Sequence, residues 1–447
     1  LETIKNRRNR ADFLQRERFM KSKEERDEIC SRLLKMEILP ATGCTEPGAI
    51  AYAAAVARMV LGRFPDDVEI WVSGNILKNA KSVIIPGSKK LHGIVEAALC
   101  GIIADSPDKK LEIFNELTPK MIETVRLLAA DKSRSSVHLW DGTEPLYIRV
   151  LERAEGHSSE VEIQKSHLNI TKVMYDQKKI TEKYWNQGFT AADDLEKKNL
   201  NLEDCYLFAQ EADLAKWREL IDKQISYNEK ISEEGLKNSY GAEIGRILYQ
   251  NGKSCPRMQL VAYAAAGSDA RMGGCALPVV TNSGSGNQGI TISVPIIKYA
   301  EQRQIQTETV ERAVLFADLI SIYIKSGIGA LSAYCGAVSA GCASACGIAF
   351  LDGQSLEVIA DIVTNSLGTI SGMLCDGAKA SCAAKIAVSV QMGLLAYDMA
   401  KQNLRFREGE GIIGKNVDKT VEAVGILGKY GMRETDWQIL KLMTQEQ

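Results

Sequence analysis

Apolar residues recur along this chain at two different periods, and the change from one to the other divides it. In residues 22–38, Ile29, Leu33, Leu34 and Ile38 fall on one face and charges on the other, the repeat of an amphipathic helix, which Pro40 ends. In "ATGCTEPGAIAYAAAVARMVLG", Thr45 suits a helix cap, Pro47 the first turn, and an alanine-rich run continues to Gly62. Alternation then takes over in "DDVEIWVSGNIL", "SSVHLW", "LYIRVLERA" and "SEVEIQKSHLNITKV", each predicting a strand. "DGTEP" between the second and third predicts a hairpin turn, and "KSVIIPG" is a short apolar run stopped by Pro86 and Gly87. Helical patterns lie between, near 91–104 and 108–130. Residues 190–250 return to a charged, amphipathic helical period, and from about 255 small residues dominate.

These patterns predict an α+β N-terminal unit packed on a mainly α-helical C-terminal unit rich in Gly, Ala, Ser and Cys. The expected divisions are an arm over 1–21, an α+β substrate-side unit over 22–190, connecting helices over 191–254, and a helical unit over 255–447. A length of 447 residues supports this, because one core seldom serves so long a chain. The arm is basic and polar without an apolar stretch, so either Met20 is the natural start or the arm is a short disordered extension. The apolar runs near 328–350 and 378–398 are rich in small residues, and Lys385 interrupts the second, so both are expected as buried helices rather than membrane spans.

Charge and cysteine content narrow the function class. A net charge of −2 gives no footprint for nucleic acid or anionic lipid. Eleven cysteines, an odd number in a long chain, do not form a disulfide scaffold, and reduced thiols in a cytoplasm are expected.

Four groups of residues could carry chemistry. The late cysteines Cys335, Cys342, Cys346, Cys375 and Cys382 show neither zinc-ribbon nor redox CxxC spacing. Two readings of them stand: buried structural thiols on Ala/Gly helices, or soft ligands drawn from separate segments to an iron–sulfur cluster. Cys342 and Cys346 share one helix face and read as packed core, whereas Cys335 sits at that helix's N-terminal side, where the dipole favours thiolate. Cys44, in "PATGCTEPGAI", lies in a glycine-flanked turn opening a helix. Such a turn is either a site for a carboxylate beside a low-pKa thiol or a simple cap. Asn75, Lys78, Asn79 and Lys81 are polar groups at a strand end, and Asn282, Ser283, Ser285, Asn287 and Gln288 offer donors on a close-approaching loop that lacks a P-loop's GK[ST]. Of the four histidines, His138, His157 and His167 lie in strand patterns and read as structural, and His92 is also expected outside the site.

Five segments in one order, "GCTEPGAIAYAAA", "SGNILKNAKSVIIPG", "GSGNQGITISVPI", "CGAVSAGCASACG" and "GMLCDGAKASCAAKI", resemble the L-cysteine desulfidase family, relatives of the iron–sulfur L-serine dehydratase α chain. The resemblance runs from about residue 22 to the C-terminus. It implies a [4Fe-4S] cluster on Cys335, Cys375 and Cys382 with one iron open to substrate. It also marks Cys44 as a family feature, either an iron ligand or a group facing the substrate; the glycine-flanked turn favours the pocket and a role as base. Lys81 and Lys379 are further catalytic candidates, and Thr45, Glu46, Asn75, Asn79, Ser285, Asn287 and Gln288 are candidate substrate contacts. The implied reaction is L-cysteine plus water to pyruvate, ammonia and hydrogen sulfide in the cytoplasm. The alternatives are L-serine dehydration, elimination from another β-substituted amino acid, and a non-catalytic cluster or sulfide sensor. The implied partner is the small substrate alone, with no nucleic acid and no membrane. A homo-oligomer is compatible with all of this.

Overall fold

The computed structural model describes residues 21–88, 90–180 and 196–444; of the arm expected over 1–21, all but its last residue, Met20 included, lies outside them. Helix α1 (Lys23–Glu37) is capped by the Ser22 hydroxyl, which accepts from the Glu25 N–H. Strand β1 (Pro40–Thr42) leads into α2 (Thr45–Leu61), a helix buried over nearly its whole length and closed by Gly62 in the left-handed conformation. After β2 (Asp67–Val72) come α3 (Gly74–Ala80), α4 (Ile94–Ala104), a 3-10 segment (Pro107–Glu116) and α5 (Pro119–Ala130). Strands β3 (Ser135–Leu139), β4 (Tyr147–Ala154), β5 (His157–Gln164), β6 (Ile170–Tyr175) and β7 (Lys178–Lys179) complete the sheet. Its order is β3-β2-β4-β5-β6-β7, with β2 and β3 parallel and the other pairs antiparallel.

Two local expectations fail here, each for a definable reason. The turn at Asp141–Pro145 does not close a hairpin, because β2 pairs on one side with β3 and on the other with β4 and so lies between them. Alternation in "DDVEIWVSGNIL" stops at Val72, and Ser73 starts helix α3. Leu77, Lys78 and Asn79 lie on that helix rather than in a strand-end loop.

The remaining chain is helical: α6 (Leu202–Glu211), α7 (Arg218–Lys237), α8 (Ile244–Asn251), α9 (Pro256–Met272), strand β8 (Pro278–Val280), α10 (Gly286–Arg303), α11 (Thr307–Lys325), α12 (Gly336–Leu351), α13 (Leu356–Ile370), α14 (Cys382–Lys401), α15 (Val417–Ile426) and α16 (Arg433–Thr444). This is an α+β architecture, and among the described residues no helix is long and apolar enough to cross a membrane.

Two large apolar cores result, with two smaller clusters beside them. One joins the inner face of the sheet, including Ile70, Ile148, Val150, Val161 and Ile163, to α2 and α4. The other centres on α12, packed by α10, α11, α13 and α14, and also takes Ile29, Leu33 and Leu34 of α1. Small residues set its geometry. A Cβ on Gly341 of α12 would lie 2.5 Å from the Ser389 carbonyl carbon of α14, and one on Gly393 would lie 2.4 Å from the Gly341 oxygen, so the two backbones touch. Strand β1 pairs antiparallel with β8, Ala41 opposite Val279, and this ribbon ties the sheet side to the helical side next to Cys44.

Glu152 interrupts the apolar face of β4, fully buried with neither carboxylate oxygen hydrogen-bonded. Burial pushes its carboxyl well above its ordinary 4.5, more than nearby Arg58 pulls it down.

Gly341→Ala should destabilise the protein by about 1–3 kcal/mol in urea unfolding, since the new methyl meets backbone rather than a flexible side chain. Glu152 stays neutral in the folded protein and ionises on unfolding above its ordinary value, so it lowers stability progressively as pH rises from about 4.5. Glu152→Gln should therefore lose less stability than the parent as pH rises above about 4.5, read as the change in melting temperature.

Candidate functional site

The β1–β8 ribbon delivers Gly43, Cys44 and Thr45 against the loop that follows β8. That loop is fixed by a buried amide network. Asn282 Nδ2 donates to Asp318 Oδ1 at 2.9 Å, and Gln224 Nε2 donates to the same oxygen at 3.0 Å. Ser283 and Gly284 then turn through left-handed backbone (φ 50° and 77°), and the Gly284 carbonyl accepts from Thr45 Oγ1 at 2.7 Å.

A second pairing brings the late cysteines together. The Cys335 N–H donates to the Met373 carbonyl at 3.0 Å and the Cys375 N–H to the Ala333 carbonyl at 2.7 Å, an antiparallel bridge between Tyr334 and Leu374 with the two cysteines at diagonal corners. Cys382 opens α14 from the same segment, its thiol 3.7 Å from the Gly377 carbonyl oxygen. Lys78 fastens this segment to α3: its ammonium, almost fully buried, donates to the Cys375 carbonyl at 3.1 Å and to Asp436 Oδ1 at 2.6 Å.

Between these walls lies a cavity of about 100 Å³. Cys335, Cys375 and Cys382 line one side; Cys44, Thr45, Glu46 and Asn79 line another; Ser285, Asn287 and Gln288 close it. The polar loops of α3 and α10 thus meet at one place. Lys81 does not reach it: the side chain is exposed and donates to the Met443 carbonyl at 2.8 Å. Asn75 faces a neighbouring groove, 3.4 Å from Asp436 Oδ2. Lys379 is absent from the lining and pairs with Asp376 Oδ1 at 2.6 Å. Cys342 and Cys346 are fully buried inside α12, away from the cavity.

The electrostatics follow from burial. Glu46 Oε2 accepts from the Cys44 thiol at 2.9 Å and from Thr45 Oγ1 at 3.2 Å, and Oε1 accepts from Asn79 at 3.0 Å. His167 Nε2 stands 3.6 Å from Oε1, an electrostatic contact too long for a hydrogen bond. Burial pushes the Glu46 carboxyl up, but the imidazole and these donors outweigh it and hold the group at about 2. Cys44 goes the other way. Although it caps α2, burial and the adjacent Glu46 carboxylate raise its thiol well above the ordinary range, so the expected helix-lowered thiolate does not form. Burial and the neighbouring Cys375 and Cys382 thiols push Cys335 up to about 12, and burial raises Cys382 too.

Sequence reasoning missed four polar side chains at this site. Arg271, Lys325 and Lys385 line the cavity, and His167 backs Glu46. Each basic group is the one cation closing or interrupting an apolar or small-residue run, "GSDARMGG" (where Asp269 precedes it), "ISIYIKSG" and "SCAAKIAV", and that interruption was the available signal. Burial pushes the Lys325 ammonium down to about 8, and it makes one long contact, 3.4 Å to the Ser283 carbonyl.

Among the described residues no three His, Cys, Asp or Glu side chains converge as a single-ion site requires. A cubane cluster asks for something different, one thiolate at each of several corners, and so thiols that surround a space rather than a point. Three thiols facing one cavity from two bridged segments fit that demand.

Comparison with known proteins gives the family. A family model described as serine dehydratase alpha chain matches residues 109–441, which include the three late cysteines and exclude Cys44. Full-length relatives cover both walls. A UPF0597 protein of Fusobacterium nucleatum is 40% identical over 420 residues, 93% of this chain and 98% of the relative. One from Treponema denticola is 40% identical over 420 residues, 93% and 97% of the two chains, and one from Lachnoclostridium phytofermentans is 42% identical over 414 residues, 92% and 98%. By the extent of the family match, the chain belongs to the serine dehydratase alpha chain family.

Proposed function

We propose that the protein is a lyase that eliminates the β-substituent of a small L-amino acid, with L-cysteine as substrate and pyruvate, ammonia and hydrogen sulfide as products. The observation that carries this reading is the pairing, across one small cavity, of three thiols with a wall of amino-acid-sized polar groups. In this reading Cys335, Cys375 and Cys382 hold a [4Fe-4S] cluster. When bound, the cluster supplies a Lewis-acidic iron beside the leaving group. The membership of the family also favours a second reading, L-serine as substrate with water leaving.

The chain's own residues supply binding and proton transfer. Thr45, Asn79, Ser285, Asn287 and Gln288 offer hydrogen bonds to the amino and carboxylate groups. The α-proton needs an acceptor. Cys44 fits poorly, because its thiol keeps its proton and donates it to Glu46. Lys325 fits better: burial lowers it to about 8, so a useful fraction is the neutral amine near neutral pH. Cys44 and Glu46 then act as a fixed polar wall. Lys81 and Lys379, outside the cavity, take no direct part.

Anaerobically purified protein should be brown, contain iron and acid-labile sulfide, and release pyruvate from cysteine or serine. Sulfide production with cysteine separates the two substrates. Cys335→Ala, Cys375→Ala and Cys382→Ala should each lose the iron, while Cys342→Ala and Cys346→Ala should keep it, since those thiols pack as small apolar groups. Retention of the chromophore in all three of the first set would sink the ligand assignment. For Lys325, the neutral form is the active one, so kcat/KM should rise with pH through about 8. Lys325→Gln should remove that rise and lower kcat by about 10²–10⁴-fold. A variant that keeps the parental pH profile would exclude Lys325 as the base.

A further inference from the structure

Among the described residues Arg271 is the largest fully buried side chain, and its one side-chain hydrogen bond goes to a backbone carbonyl rather than a carboxylate. It lies in the last turn of α9 and reaches the cavity wall. Its Nε donates to the Gly43 carbonyl at 3.0 Å, but Nη2, equally buried, has no partner. An unpaired buried guanidinium nitrogen is costly, so its retention asks for a ligand. The chain makes room for the group. A Cβ on Gly286, the first residue of α10, would lie 2.5 Å from Arg271 Nε, so only glycine lets this helix start against the guanidinium.

The surroundings specify the sign and size of what is missing. The cavity is lined by Arg271, Lys325 and Lys385, with Glu46 as the one carboxylate among the described lining residues. Glu46 is already engaged by Cys44, Thr45 and Asn79. Among the described residues no carboxylate is left for the free N–H, so the place suits an anion from outside the chain. Close by, Asn287 Oδ1 and Gln288 Oε1 are buried and unpartnered acceptors. One orphaned cationic donor and two orphaned acceptors in a small cavity match the two ends of an α-amino acid.

We propose that Arg271 is the anchor for the α-carboxylate of the substrate, the planar fork being held by its Nε bond to Gly43 so that Nη2 faces the ligand. The inference rests on the lyase reading for the ligand being a small amino acid. Arg271 is then a binding group whose removal costs affinity, distinct from Lys325, whose removal costs proton transfer.

Calorimetric titration of anaerobically prepared holoenzyme with L-alanine and L-alaninamide tests this. Alanine has no leaving group and is not consumed; the amide differs only in lacking the carboxylate charge. The parent should bind alanine roughly 10- to 100-fold more tightly than the amide, the span expected for a charged hydrogen-bond pair. Arg271→Gln should abolish that preference by weakening alanine while leaving the amide nearly unchanged, and Arg271→Lys, which keeps charge without the fork, should fall between. Equal binding of the two ligands by the parent, a measurement that needs no variant, overturns the proposal. So does an Arg271→Gln protein that weakens both ligands alike. Turnover of cysteine or serine without any preference for alanine would reject the anchor and leave the lyase reading standing; preference for alanine without turnover would do the reverse.

Discussion

The site depends on one electrostatic constraint: four helices begin at the same cavity. The first turns of α2, α10, α12 and α14, at Thr45, Gly286, Gly336 and Cys382, all contribute to its walls or adjoin residues that do. A helix start carries about half a positive charge. Soluble proteins ordinarily neutralise such ends with Ser, Thr, Asp or Asn caps. Here Cys44 and Cys335 occupy two of the cap positions and make no side-chain cap hydrogen bond. Convergence of helix starts with three cationic side chains makes the cavity a place for negative charge, and the buried Glu46 offsets only part of it. The small residues of α10, α12 and α14 serve the same end, since helices with bulky starts could not approach a common centre.

Glu46 links this centre to the sheet. Its carboxylate gathers Cys44, Thr45 and Asn79 by hydrogen bonds and has His167 within 3.6 Å. These groups come from α2, α3 and the β5–β6 connection, so one charge organises three separate elements. Lys78 does a similar task from the opposite side, holding the Cys375 segment and α16 to α3.

Much of this was legible in the sequence. Alternation found β4, β5 and β6, and the small-residue composition marked α12 and α14 as buried. The Cys44, Asn79 and Gln288 segments were all recognisable as polar punctuation between apolar runs. Partner choice was not legible. Nothing in "SSVHLW" or "LYIRVLERA" says that β2 inserts between them, because strand pairing over such distances is decided by burial of the whole sheet face. Lys81 and Asn79 look equivalent on the page, yet the helical turn of α3 sends one to solvent and the other to Glu46. Arg271 and Lys325 were hidden for the opposite reason. A cation at the edge of a small-residue or apolar run gives no hint of a destination until helices from elsewhere enclose it.

The β1–β8 ribbon has a consequence for biosynthesis. Residues 40–42 emerge early from the ribosome, but their partners at 278–280 follow more than two hundred residues later, and Cys382 later still. The nascent sheet side must therefore wait with β1 unpaired and Cys44 uncovered while the helical side is made. Pairings so distant in sequence close late and slowly. The cavity is thus among the last features of the molecule to exist, and any inorganic group seated in it must arrive after translation is nearly complete.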